Sequence, residues 1–323
     1  MILILLQWRK STLSEVLIRN IEYFMSTFRF SRPFTGVEQD KLLQQINGRF
    51  TFERDAWHVL RLNGLPLGFI SKRWRALLER DWPGGMERET DALNLLSQDW
   101  LMMGDALQSI TQSWHDQGEF YGWRNEQFGV CDSKGQFLFA LERSAFRPLG
   151  LLSQAVHING LAERDGETCF WIGRRSPLKA VDPDKFDNVV GGGISCGESV
   201  NEAMLREGWE EAGLSGHVLK NAVCRSRLLS LRSVPRGLHR EWLHIFDVVL
   251  EEGVQPENQD GEVAEFRLMG IDELMEAMAA GLFMNDAMVA TLDCCKRHGL
   301  IDVAHPLGGL LARMEVADII GMD

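Results

Sequence analysis

The first half of the chain alternates between helical and strand-like patterns of apolar residues. Apolar positions recur at helical spacing over residues 12–28, 37–46 and 91–114, which predicts three helices. Residues 57–70 and 128–141 each contain two apolar runs around a polar turn and predict two β-hairpins. The first hairpin turns at Asn63-Gly64, a strong hairpin signal. We therefore predict a small α+β unit in this part of the chain.

The second half shows a series of strands and then helices. Strands are predicted at residues 154–161, 168–174, 218–224, 242–250 and 262–269, and helices at residues 199–212, 271–280 and 286–298. The length of the chain fits two domains. We assign an N-terminal α+β domain of uncertain role to residues 1–150, in which residues 1–24 could be an extension, and a second α+β domain to residues 151–323.

The formal net charge of −12 limits the partners that the chain can attract. Nucleic acid and anionic membranes would be repelled by most of the surface, and a small polyanionic substrate would need a local group of cations. The six cysteines lack metal-binding and disulfide-like spacing. Residues 1–6 are apolar but lack the other features of a signal peptide. We therefore expect a cytoplasmic protein that binds neither nucleic acid nor membranes.

Residues 192–214 concentrate glycine, glutamate and arginine at fixed spacing. Gly192 is followed by five residues and Glu198, then by seven residues and Arg206-Glu207, and the pattern is completed by Glu210, Glu211, Gly213 and Leu214. Gly213 stands where a helix would end. This is the segment in which the sequence carries candidate chemistry.

A short helix carries the acidic part of this segment. Ser199 and Glu202 have the spacing of a capping box, which places the start of the helix. Glu207 precedes Glu210 and Glu211 by three and four residues, so the carboxylates crowd one face and repel each other. A divalent cation would stabilise them, since Mg²⁺ prefers oxygen ligands and keeps water and substrate phosphates as its other ligands.

Acidic helix faces are usually solvated surface, and Glu210-Glu211 alone would be interpreted in that way. The glycines, Glu198 and Arg206 in register favour a functional site instead, in which Arg206 can pair with Glu202 or with Glu198. Gly208 is unusual, because glycine within a helix costs about 1 kcal/mol relative to alanine. We expect either a weakened helix or close packing at that position.

Residues 192–214 resemble the Nudix box, apart from Gly208 at a position that is usually apolar. Residues 171–176, 186–193 and 294–301 are similar to the Nudix domain associated with fungal thiamine pyrophosphokinase, and residues 142–145 and 156–160 are similar to the domain that precedes it. The resemblance implies a mixed β-sheet between helices. It also implies an enzyme that uses Mg²⁺, with Mn²⁺ as an alternative, to cleave thiamine diphosphate or its oxidised analogues to the monophosphate and phosphate.

Site roles are assigned from the spacing and the resemblance together. Glu207, Glu210 and Glu211 are predicted metal ligands and catalytic residues, with Gly192 in the same metal site, and one carboxylate takes a proton from the attacking water. Glu262 and Glu265 are the candidates for a base outside the box, with an acidic strand edge as the alternative interpretation. Residues predicted to shape the box are Gly193, Glu198, Arg206 and Gly213.

Basic residues on both sides of the box are predicted to bind the substrate phosphates, which suit the planar fork of arginine. They are Arg174, Arg175, Lys179, Arg232 and Arg236. For each of them an ordinary surface charge is the alternative.

The sequence leaves other functions open. A nucleoside diphosphate derivative such as ADP-ribose, NADH or a nucleotide sugar is the alternative substrate, because one fold supports many activities. A non-catalytic sensor of a diphosphate ligand is a different class, but it would not need clustered carboxylates. An isomerase of isopentenyl diphosphate would need a Cys and Glu pair, which Cys196 within the box matches poorly. The oligomeric state is open, with a homodimer as one alternative.

Overall fold

A computed structural model describes residues 28–179 and 181–316. All but the last residue of the helix predicted at residues 12–28 lies outside the described residues. The helix predicted at residues 37–46 is confirmed as α1 (Gly36–Ile46). Thr35 caps α1, because its side chain accepts a hydrogen bond from the backbone N–H of Glu38 and its own backbone N–H donates to the Glu38 carboxylate.

A four-stranded sheet forms the centre of the first unit. Its strands are β1 (His58–Leu62), β2 (Leu65–Ile70), β3 (Gly85–Arg88) and β4 (Ala92–Leu96), in the order β2-β1-β4-β3, with β1 and β4 parallel. The hairpin predicted at Asn63-Gly64 is confirmed, and both residues have positive φ angles, 47° and 82°, as a type I′ turn requires. The helix α2 (Lys72–Asp81) follows β2 and was not predicted.

The long helix predicted at residues 91–114 is wrong in its first part. Residues Ala92–Leu96 form the buried strand β4, and α3 (Trp100–Asp116) begins only after Asp99, whose side chain accepts a hydrogen bond from the backbone of Met102. A short apolar run has the same appearance in a buried strand and in a buried helix, so periodicity did not separate the two. The second predicted hairpin is confirmed as β5 (Gln127–Cys131) and β6 (Phe137–Glu142), and it is followed by α4 (Phe146–Leu149).

A larger mixed sheet forms the second unit. Its strands are β7 (Ser153–Arg164), β8 (Glu167–Arg175), β9 (Phe186–Asp187), β10 (Val190–Gly193), β11 (Cys224–Val234), β12 (Gly237–Val249) and β13 (Val263–Met269). The main order is β11-β12-β7-β8-β13, with β10 paired to β7 and β9 to β8. Only β12 and β7 pair in parallel among these described strands.

Helices cover both faces of this sheet, as the resemblance implied. One face packs on α5 (Val200–Ala212) and α6 (Gly216–Leu219). The other face packs on α7 (Ile271–Ala279), α8 (Asn285–Arg297) and α9 (Pro306–Val316). The strand predicted at residues 218–224 is wrong, because α6 occupies its first part and β11 begins at Cys224.

The two units share packing and hydrogen bonds. Although α1 precedes the first sheet in sequence, its buried Leu42 and Ile46 belong to the core that contains α7, α8 and α9. The indole nitrogen of Trp74 donates to the carbonyl of Arg236 at 3.0 Å. The division of the chain at residue 150 therefore stays a prediction. Among the described residues, none of the helices has the length and hydropathy needed to cross a membrane.

Candidate active site

A cleft of about 960 Å³, measured with its open mouth, lies beside β10 and α5. Both units contribute to its walls. The charged residues that line it are Arg124, Arg143, Arg147, Arg175, Lys179, Asp182, Glu207, Glu211, Arg232, Glu241, Glu262 and Asp286. Carboxylates and cations thus face the same space.

The acidic helix α5 is positioned by its own sequence. Ser199 and Glu202 form the predicted capping box, and Gly213 ends the helix with a left-handed φ of 62°. Close packing explains Gly208, since a Cβ atom there would lie 2.4 Å from Cδ1 of the buried Leu219 on α6. Of the two expectations at Gly208, a weakened helix or close packing, the structure shows close packing.

Arg206 joins the end of β10 and the segment that follows it to α5. Its Nε and Nη2 donate to the two carboxylate oxygens of Glu198 at 2.6 and 2.8 Å, and Nη2 also donates to the carbonyl of Gly193 at 3.1 Å. The guanidinium lowers the pKa of Glu198. Of the two partners predicted for Arg206, the structure selects Glu198, while Glu202 caps the helix.

Glu207 packs directly against the backbone of Gly192. A Cβ atom at Gly192 would lie 2.0 Å from the carboxyl carbon of Glu207, so only glycine leaves room for this carboxylate. Burial raises the pKa of Glu207, and Arg206, which donates to it at 2.8 Å, opposes this effect. Gly193 has a comparable role, because a Cβ there would lie 2.5 Å from the ring of Phe128 in the first unit.

Glu211 is the most buried carboxylate of the box, with 6% of its surface exposed. It accepts a hydrogen bond from the backbone N–H of Gly191 at 2.7 Å. Burial raises the pKa of Glu211 to about 8, and the nearby carboxylates of Glu207 and Asp187 act in the same direction. A site of this kind gains stability from an added positive charge.

The other predicted carboxylates occupy different positions. Glu210 is 45% exposed and accepts from Arg206 at 3.1 Å, at the margin of the cluster. Glu262, immediately before β13, lines the cleft and forms an ion pair with Lys179. Glu265 does not line the cleft and pairs with Arg174 and Arg267.

Three of the five predicted phosphate-binding residues line the cleft. They are Arg175, Lys179 and Arg232. Arg174 is not part of the lining and pairs with Asp184 and Glu265. Arg236 is also absent from the lining, and its guanidinium donates to the carbonyl of Tyr121 at 2.5 Å.

Sequence reasoning missed the residues that reach the cleft from distant parts of the chain. They are Arg124, Arg143, Arg147, Glu241 and Asp286. Arg143 lies in residues 142–145, a segment with a noted resemblance, and no local motif marks the others. Only the sign of their charge, in an acidic protein, could have drawn attention to the other arginines.

The box carboxylates fit a hard divalent cation. Glu207 and Glu211 offer oxygen ligands beside the backbone of Gly192, and burial raises the pKa of both groups, so a cation would stabilise their ionised forms. A second group at the cleft, His239, Glu241 and Asp286, places three ligand atoms within 4.8 Å of one another. Arg232 already pairs with both carboxylate oxygens of Asp286, so this group is satisfied by a cation of the chain itself.

Comparison with known proteins agrees with this geometry. Residues 152–287 match the family model of the NUDIX domain. Nudix hydrolase 24, chloroplastic, from Arabidopsis thaliana is 36% identical over 194 residues, which are 59% of this chain and 53% of the relative. The uncharacterized protein YJR142W of Saccharomyces cerevisiae is 24% identical over 310 residues, 89% of this chain and 90% of the relative. The chain contains a Nudix domain and spans about half the length of the plant relatives it matches.

Solved structures also show similarity to this chain. The crystal structure of DR0079 from Deinococcus radiodurans aligns with a TM-score of 0.40 and 20% identity, over 53% of this chain and 98% of that one.

Proposed function

We propose that the chain hydrolyses a diphosphate bond in a small molecule, with a divalent cation held by the carboxylates of its Nudix domain. The observation that carries this proposal is the pair formed by the buried Glu211 and the largely buried Glu207. It lies in a cleft whose other charged residues are six cations and four carboxylates. Buried like charges are costly to a fold unless a cation or a proton compensates them. A phosphorylated substrate would meet the cations of the same cleft.

Each residue of the cluster has a proposed role. Bound by Glu207, Glu210, Glu211 and the backbone of Gly192, Mg²⁺ or Mn²⁺ would neutralise diphosphate charge and lower the pKa of water. Glu262 lines the cleft from outside α5, so it can accept the proton of the attacking water while the box carboxylates remain metal ligands.

The proposed phosphate contacts come from Arg175, Lys179 and Arg232, which orient the substrate. Arg174 and Arg236 have no part in this proposal. Glu198 and Arg206 hold the end of β10 at Gly193 against α5.

We propose thiamine diphosphate or its oxidised analogues as the substrate, cleaved to the monophosphate and phosphate. Support comes from the resemblance of residues 171–176, 186–193 and 294–301 to the Nudix domain associated with thiamine pyrophosphokinase. The cytoplasmic location, the homodimer and the absence of nucleic-acid and membrane partners stay predictions.

A substrate panel tests the proposal. Products are measured chromatographically for thiamine diphosphate, oxythiamine diphosphate, ADP-ribose and NADH with Mg²⁺, for the wild type and for Glu211→Gln and Glu262→Gln. We expect hydrolysis of the thiamine compounds that requires the metal and falls at least a hundredfold in either variant, as for loss of a catalytic carboxylate. Glu276→Gln, at an exposed glutamate of α7, is the matched control. Absence of hydrolysis with every compound, or full activity of Glu211→Gln, would refute the proposal.

A further inference from the structure

Six cationic side chains line the cleft, and they come from two parts of the chain. The second unit supplies Arg175, Lys179 and Arg232. The first unit supplies three more, which we call the first-unit arginines: Arg124, Arg143 and Arg147.

The cations of the second unit are already paired with carboxylates. Arg232 makes a bidentate contact with Asp286, at 2.6 and 2.9 Å. The other two pairs are Arg175 with Asp187, at 2.6 Å, and Lys179 with Glu262. Their charges are therefore largely compensated before a substrate arrives.

The first-unit arginines are less compensated. Arg143 pairs with Glu126 at 2.5 Å and lies over the ring of Phe128. Within the described residues, Arg124 and Arg147 form no ion pair with a carboxylate. Arg147 donates to Nδ1 of His239 at 3.0 Å, and burial lowers the pKa of that histidine, which favours its neutral form. Arg124 and Arg147 therefore carry positive charges that no ion pair among the described residues compensates at this side of the cleft.

The effect of these arginines on the neighbouring Arg236 supports the same conclusion. Burial lowers the pKa of the adjacent Arg236 to about 10, and Arg147, Arg143 and Arg124 all act in the same direction. Burial also lowers the pKa of Arg147, and Glu241 and Asp286 oppose this effect. A bound anion would remove this electrostatic cost.

We propose that Arg124, Arg143 and Arg147 bind the terminal phosphate of the substrate, so that the first unit completes the binding site and favours molecules that end in a diphosphate. This inference rests on the proposed function for the identity of the substrate. A terminal phosphate carries about two negative charges near neutral pH, so it can pair with both of the arginines that lack an ion pair within the described residues. A phosphate that is esterified on both sides carries one.

The backbone around Arg147 gives this subsite a fixed position. The carbonyl of Arg147 lies 2.0 Å from where a Cβ of Gly237 would be, so α4 and the start of β12 are in direct contact. A guanidinium on such a rigid support binds phosphate with little loss of conformational entropy.

Titration of inorganic phosphate, by calorimetry without metal, tests the subsite directly. We expect Arg124→Gln and Arg143→Gln each to weaken phosphate binding about tenfold, as for loss of one charge-assisted hydrogen bond. Arg88→Gln, at an arginine of the first unit that is 54% exposed and does not line the cleft, should bind phosphate like the wild type. Failure of the wild type to bind phosphate, or unchanged binding in both cleft variants, would overturn the inference.

Kinetics then test the choice of substrate. In Arg124→Gln, kcat/KM for thiamine diphosphate should fall about tenfold through KM, and kcat/KM for ADP-ribose should fall less. An equal fall for both compounds would exclude selection of a terminal phosphate. If the wild type hydrolyses neither compound, the proposed function fails, and the phosphate titration still decides whether the first-unit arginines form an anion site.

Discussion

At the scale of single residues, His244 shows how burial links a side chain to the stability of the protein. It lies in β12 with 8% of its surface exposed, and its Nε2 is 2.9 Å from the amide oxygen of Gln154. Burial lowers the pKa of His244 to about 4, with a smaller effect of Arg227. The neutral form is therefore the one that the folded state favours.

The sign of the pH effect follows from the lower pKa in the folded state. The stabilising contribution is complete above the unfolded pKa of about 6.5 and is lost as the pH falls through about 4. We expect the free energy of unfolding of the wild type, relative to His244→Gln, to decrease by about 2 kcal/mol from neutral pH to about pH 4.5. Urea unfolding at both pH values measures this. His217→Gln, at an exposed histidine, is the control, and a pH-independent difference would contradict the prediction.

Site residues were predictable where the chemistry is local in sequence. Glu198, Arg206 and Gly213 take the structural positions that the spacing of one loop and one helix predicts. Arg124 and Arg147 reach the cleft only because two units pack together, and no spacing rule connects residues so far apart. Arg236 is also far in sequence from Tyr121, so the sequence did not indicate that its guanidinium donates to the carbonyl of that residue.

At the scale of elements, prediction succeeded where the end of a helix or the turn of a hairpin is encoded by specific residues. Asn63-Gly64 and the capping box of α5 are examples. Prediction failed where a run of apolar residues has no such residues at its ends, as in β4, which is buried on both faces. At residues 218–224 it failed because a short run that looked like a strand packs instead as a helical turn under α5.

The contact between α5 and α6 leads to a prediction about Gly208. Gly208→Ala should destabilise the protein by about 1–2 kcal/mol, although alanine is the better helix former, because its Cβ would overlap the buried Leu219. Leu219→Ala should cost about 2–5 kcal/mol by leaving a cavity. The double variant should cost at least about 1 kcal/mol less than the sum, since the new methyl group then has space.

Thermal and urea unfolding of the wild type, the two single variants and the double variant measure the coupling between Gly208 and Leu219. Gly216→Ala, where no atom lies within 4 Å of the new Cβ, should have little effect and serves as the control. Additive effects of the two substitutions would show that the helices do not make this contact.

At the scale of the whole molecule, the two units are joined by backbone contacts that leave no room for a side chain. Gly237 opens β12 with a φ of 140°, and a Cβ there would lie 2.0 Å from the carbonyl oxygen of Arg147 on α4. Arg240 extends the junction by donating to the carbonyl of Leu67 at 3.0 Å. The first unit is thus held against the strand that leads into the cleft.

This junction predicts a large effect of one methyl group on both stability and binding. Gly237→Ala should lower the free energy of unfolding by about 3 kcal/mol or more, because it combines an unfavourable φ with overlap of a rigid backbone atom. Gly253→Ala separates the two causes, since Gly253 also has a positive φ, 89°, but no atom within 4 Å, and it should cost about 1 kcal/mol. Urea unfolding compares the two variants. Equal decreases in the free energy of unfolding would mean that the backbone at the junction moves to accommodate the methyl group. Relief of the overlap must separate the start of β12 from α4, which carries Arg147, so the folded fraction of Gly237→Ala should also bind inorganic phosphate more weakly than Gly253→Ala.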